Sequence, residues 1–203
     1  MIKAIIVGLG IAGLTSLGAA APMDFDFKDP KGVNNAVFKL DAPLEIINGT
    51  AAGISGKVTV DFDNLAATKG EIVVDTATLH VGNPMMKEHL HSAQWMDVAK
   101  FPKITFQVTS LSDIQQTDNV TTAKVTGVLT IKGISQNIRV TAKATYLKDK
   151  LKARVPNMEG DLLVIRTNFS IKRSDFGINK GMFEDKVADV IDLTLNIAGS
   201  APR

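Results

Sequence analysis

Beyond residue 50 the chain runs largely on a period of two. Between Gly56 and Asp63, Val58, Val60 and Phe62 alternate with Thr59, Asp61 and Asp63. Ile104, Phe106 and Val108 alternate with Thr105 and Gln107, and Val125, Leu129 and Ile131 with Thr126, Thr130 and Lys132. The same scheme runs from Ile165 to Ile171 and from Ile191 to Ile197. Side chains of a strand point alternately to its two faces, so each run is a strand with one apolar face. Asn48-Gly49, Lys132-Gly133 and Gly177 read as turn signals, and the Thr- and Asp-rich stretch Asp113 to Thr122 as a hairpin loop. Many one-faced strands joined by short turns predict an all-β, antiparallel barrel or sandwich.

One stretch breaks the rhythm. Asn83 is a good N-cap and Pro84 suits the first helical position, which predicts a short helix over about 84–92. A further turn could carry it through Trp95 to Ala99, before Pro102 forbids continuation. The N-terminus differs again: Lys3, an uncharged apolar run and then the small residues Gly18 to Ala21. That is the layout of a secretory signal peptide, cleaved after Ala20. An uncleaved anchor is the competing reading; the small-residue cluster favours cleavage. The organisation expected is therefore 1–20 signal peptide and 21–203 a single domain, exported to the periplasm.

A length of 203 residues suits one core, and a formal charge of +2 without a basic run offers nothing to nucleic acid. The absence of cysteine excludes a disulfide, a thiol nucleophile and a Cys-held metal or cluster. His89 and His91 sit two apart, which on a helix places them on different sides, so a metal site is not expected. Asp97, near both, could act with His89 as acid and base. Its plainer role is a carboxylate capping backbone N–H groups where helix meets strand. In Lys172 to Gly177 an Arg–Asp pair at a strand end fits better than phosphate binding, because no Gly-rich loop and helix follow. No serine has the context of a hydrolase nucleophile.

Gly82-Asn83, Glu88-His89-Leu90-x-Ser92, Asp97-Val98 and Phe101-Pro102-x-Ile104-Thr105-Phe106 occur in that order. Val125-Thr126-Gly127-x-Leu129-Thr130-Ile131-x-Gly133, Arg173 to Gly177 and a closing strand from Val187 to Ile197 follow. With these motifs the chain resembles the YceI family, the periplasmic polyisoprenoid-binding-protein-like group, from Asp24 to Ala198. The resemblance implies a lipocalin-like antiparallel barrel of about eight strands with the Asn83 helix across one end. It also implies non-covalent binding of a long apolar chain, such as a polyisoprenoid, an isoprenoid quinone or a fatty amide or acid. No catalytic residues are established for the group. The chain departs from the family pattern at Met86, Lys87, His91, Trp95-Met96 and Val33-Asn34-Asn35, so the ligand's identity is not carried over.

An eight-stranded barrel has room for one small ligand lined by alternate inward residues. The expected lining is Phe62, Phe106, Val108, Leu129 and Ile131 from the first half of the barrel. Phe169, Ile171, Leu193 and Leu195 come from the second, with Trp95 and Met96 at the lid. The reading is a carrier without cofactor or metal, whose partner is a long-chain apolar small molecule. No stable membrane insertion is expected once the signal is removed, and monomer or homodimer is left undecided. A lipid- or quinone-acting enzyme using His89 and Asp97, and a filled barrel serving as an interaction module, are the alternatives.

Overall fold

The computed structural model describes residues 21–203; the signal peptide expected at 1–20 lies outside the described residues. Eight antiparallel strands close into a barrel: β1 (Met23–Asp26), β4 (Ile54–Val60), β5 (Lys69–Asp75), β7 (Lys103–Thr117), β8 (Val120–Ile131), β9 (Ile134–Leu147), β10 (Gly160–Lys172) and β11 (Val190–Pro202). Closure is made where Asp26 of β1 pairs with Ser200 of β11. The first half of β11 pairs instead with β2 (Asn35–Asp41), whose partner β3 (Ile46–Ala51) carries the short β6 (His80–Val81). These three strands continue the wall at one end. A closed ring leaves its main strands no free edge.

The alternation decides which face turns inward. Val58 and Val60 are buried, as are Leu129, Ile131, Ile171 and Ile197 from the runs read above. Gly127 fills the gap in the series Val125, Leu129, Ile131. A Cβ there would stand 2.5 Å from the ring of Phe106, so the aromatic ring occupies the place of the missing side chain. Lys132 and Gly133 do form the β8–β9 turn, both with positive φ (49° and 77°), as a two-residue hairpin turn requires.

Two turn readings are corrected. Asn48-Gly49 lies inside β3, not at a turn. Its glycine is needed for close approach, since a Cβ would sit 2.1 Å from the Phe38 ring. Asp113 to Thr122 is mostly strand, because the β7–β8 hairpin extends to a tight turn at Asp118 and Asn119. Polar residues occur there because these hairpin arms project with much of their surface in solvent.

The helix α1 (Pro84–His91) begins as expected, with the Asn83 side chain accepting from the Met85 and Met86 N–H groups. It ends at His91, capped by Ser92, so the extension to Ala99 is a series of turns instead. A second one-turn helix, α2 (Leu151–Arg154), buries Leu151 at the opposite end of the barrel.

That opposite end is closed by polar locks. Asn34, 2% exposed, donates to Phe27 O and Ala198 O and accepts from the Ala198 N–H and from Arg154. Arg154 also pairs with Asp29 at 3.0 Å. Nearby, buried Asp161 accepts from Tyr146 Oη (2.7 Å), the Asp149 N–H (2.8 Å) and Arg203 (2.6 Å). Burial alone would raise the Asp161 pKa, but these donors outweigh it and hold the carboxyl below its ordinary value. Burial and the adjacent carboxylate push Tyr146 up to about 12.

The two shifts set a window for stability. Asp161 binds its proton less readily when folded, so its contribution is complete above 3.8 and is lost as pH falls further. Tyr146 holds its proton more tightly when folded, so its contribution is complete below 10.0 and fades as pH rises towards about 12. The urea midpoint should therefore decline on both sides of a plateau. Because the chain has one tyrosine, its absorbance titration reads Tyr146 alone and should be displaced upward; an ordinary tyrosine midpoint would contradict the arrangement.

Candidate functional site

The barrel encloses a cavity of about 640 Å³, within the range of small-molecule sites. Its wall is largely apolar because every strand but β1 contributes inward alternate positions. All eleven residues expected from the alternation and the lid segment line this space. Phe106 and Val108 come from β7, Leu129 and Ile131 from β8, Phe169 and Ile171 from β10, and Leu193 and Leu195 from β11. Phe62 lies just past β4, where it forms the floor.

The floor is aromatic. Phe62 and Tyr146 have ring centroids 4.5 Å apart, and Phe25 meets both edge-on at 6.5 and 6.2 Å. The Thr68 hydroxyl is buried beside this floor with no hydrogen-bond partner among the described residues.

What keeps the lower barrel hollow is a set of small side chains that the sequence reading passed over. Thr121 and Ala123 of β8 pair with Ala144 and Ala142 of β9, and all four line the cavity. The period-two rule applied to these residues would have found them. Large apolar side chains mark the strand faces most plainly, whereas a hollow needs small ones such as these alanines.

The mouth lies at the α1 end. Met86, His89 and Leu90 of the helix face the cavity, followed by Gln94, Trp95 and Met96. Across from them, the 177–189 segment supplies Ile178, Phe183, Lys186 and Val187, and the β2–β3 hairpin supplies Glu45. The Trp95 and Phe183 rings stand 6.0 Å apart. The longer polar and charged side chains, Glu45, His89, Gln94, Arg173 and Lys186, thus gather at its opening, while its depth is mostly hydrocarbon, interrupted by the side chains of Thr68, Thr121, Thr167 and Tyr146.

Arg173 organises one side of this mouth. It is 1% exposed, and its guanidinium donates to Ala188 O, Ile178 O, Asn179 O, Met182 O and Val187 O. The Trp95 ring lies over it at 5.9 Å. The expected Arg–Asp pair does not form. Among the described residues no carboxylate pairs with Arg173, and Asp189 instead accepts from the Ser174 N–H and hydroxyl. The five backbone carbonyls exhaust the donors of the side chain, which leaves it a structural clamp.

Asp97 also differs from its expected capping role. The residue adopts φ 49°, a left-handed conformation that aspartate tolerates. Its backbone carbonyl, not its carboxylate, accepts from the Lys100 and Phe101 N–H groups. Asp97 is absent from the cavity wall whereas His89 is on it, so the structure does not bring these two together on the cavity as an acid–base pair. His91 turns away and bonds Leu79 O at 2.7 Å. Among the described residues no group of three or more His, Asp or Glu could hold a metal ion, and no helix is long and apolar enough to cross a membrane.

Comparison with known proteins agrees with this architecture. The YceI-like domain family matches residues 29–199. Protein YceI of Escherichia coli O157:H7 is 30% identical over 201 residues, covering 97% of each chain. Among solved structures, Burkholderia cenocepacia BcnA superposes with a TM-score of 0.62 at 21% identity, over 81% of this chain and 94% of its own. A polyisoprenoid binding domain from Saccharophagus degradans gives 0.63 at 10% identity, over 90% of this chain and all of that one (100%). At such identities the two structures speak for the fold.

Proposed function

Because this chain belongs to the YceI-like family, we propose that it is an exported periplasmic carrier that holds a long-chain apolar molecule inside its barrel. The carrying observation is the largely hydrocarbon-lined cavity of about 640 Å³ whose charged side chains collect at one opening. A tail would enter beside Trp95 and run towards Phe62, with its head left near Glu45, His89, Gln94 and Lys186. A polyisoprenoid, an isoprenoid quinone or a fatty amide or acid has this form.

Each methylene withdrawn from water contributes about 0.8 kcal/mol. Ten of them supply roughly 8 kcal/mol before the ordering of ligand and protein is charged against it. Binding therefore needs no covalent step and no cofactor. The polyisoprenoid binding domain from Saccharophagus degradans, which shares the fold, supports the same ligand class.

Mass spectrometry of organic extracts from protein purified out of its native compartment tests the reading. A stoichiometric long-chain lipid is expected; protein that is empty and takes up no such lipid would end it. His89→Ala separates carrier from enzyme. The variant should bind the extracted lipid within about threefold of the parent, since one rim contact is worth on the order of 0.5 kcal/mol. Turnover of that lipid by the parent, lost in the variant while affinity is kept, would establish the enzyme instead.

A further inference from the structure

The exposed apolar side chains are not spread evenly over the barrel. Leu44, Ile46, Met85, Ile134, Met182 and Phe183 are all at least 40% exposed, and all belong to segments at the mouth end. Leu44 and Ile46 flank the cavity-lining Glu45, and the Leu44 N–H donates to Asp185 O, joining this hairpin to the 182–185 segment. Met85 precedes the cavity-lining Met86 on α1. Ile134 opens β9 beside Gly177, whose position a Cβ would bring within 2.9 Å of the isoleucine Cδ1. Phe183 belongs to both surfaces: it lines the cavity, touches Trp95 and is 43% exposed.

The opposite end carries a smaller exposed apolar surface, with only Val33 (58%) and Met158 (39%) exposed among its described large apolar side chains. It is closed by the Asn34, Asp29 and Arg154 lock and the Asp161, Tyr146 and Arg203 lock. Exposed apolar surface gathered on one end of a soluble domain marks an interaction site. Here it is continuous, through Phe183, with the inner wall of the cavity.

From this continuity we propose that the mouth end docks reversibly on a lipid bilayer, so that an apolar molecule passes between membrane and cavity without crossing water. The proposal rests on the carrier reading above. Its partner is the hydrocarbon of the bilayer rather than charged headgroups, because charges around the rim are mixed: Lys87 stands beside Glu88, and Glu184 and Asp185 beside Lys186. Side chains such as Met182 and Leu44 would enter the boundary between headgroups and acyl chains, as the apolar faces of interfacial segments do. A transfer that left the tail in water would forgo the burial that drives binding; the apolar rim removes that step.

Vesicle flotation tests the proposal, using full-length mature protein and vesicles of neutral phosphatidylcholine at low and high salt. The parent should float with the vesicles, with little salt dependence. A Leu44→Ser, Met85→Ser, Met182→Ser triple variant should lose at least tenfold in vesicle association. None of the three lines the cavity, so the variant should still bind a fluorescent long-chain fatty acid in solution as the parent does. Folding is checked by its urea midpoint.

A parent that fails to float while binding the probe would overturn the docking proposal and leave the carrier reading standing. Failure of the parent to bind the probe or any extracted lipid would fall on the carrier reading itself. Equal flotation of parent and variant would also overturn the proposal. So would sedimentation showing that the three residues hold two copies of the chain together in solution while neither form floats.

Discussion

Arg173→Met should destabilise the protein by about 3 kcal/mol or more and loosen the mouth. The side chain sits at 1% exposure and satisfies five backbone carbonyls of the segment 178–188. Methionine has a similar length but no donor. A buried acceptor left without a partner costs about 1–3 kcal/mol, and the total is limited because the released segment can admit water. Lysine, with a charge but without the planar fork, should fall between the two. Urea unfolding gives the energy, and limited proteolysis within 177–189 gives the opening of the segment. If Arg173→Met stays within about 1 kcal/mol of the parent with the segment still resistant, the clamp is unimportant. A loosened mouth should also release bound lipid faster, because Phe183 and Val187 are positioned through the same carbonyl network.

Ala123→Trp should abolish most ligand affinity while leaving the fold intact. Ala123 is 5% exposed on β8, beside Ala142 of β9, and both face the cavity. An indole there would occupy space that the small residues keep vacant, and a tail could no longer pass towards Phe62 and Tyr146. Excluding about five methylenes would forfeit about 4 kcal/mol, or about a thousandfold in affinity. In a packed core such an enlargement costs about 1–3 kcal/mol; filling a cavity should cost less, which the urea midpoint would show. Undiminished affinity for a long-chain probe in a folded variant would mean that the tail does not reach below the alanine belt.

The two substitutions differ in how far the chain itself announces them. Ala123 lies on a strand whose alternation is plain from Val125 to Ile131, and extending the rhythm by one step places it inward. Arg173 belongs to a motif that can be read as polar, yet its partners are five backbone carbonyls. Backbone groups have no letter in the sequence, so the more obvious carboxylate at Asp175 drew the expectation of an ion pair. Asp97 misled for the same reason: its carbonyl and its positive φ make the joint, while its carboxylate is a bystander. At Gly49 the local signal for a turn lost to the ring of Phe38, a neighbour supplied by another strand.

By itself the sequence determined an all-β chain with one short capped helix, and which alternate residues turn inward. Those features depend on near neighbours: side chains two positions apart share a strand face, and Asn83 caps groups two and three residues away. Only the tertiary structure decided that β11 divides its length between β1 and β2, and so closes eight strands into a ring. Only it decided that the ring encloses a cavity with the small residues Thr121, Ala123, Ala142 and Ala144 in its wall. Closure and vacancy are set by pairings between distant strands and by the summed volumes of side chains meeting from all sides. No local pattern of polar and apolar positions contains either quantity.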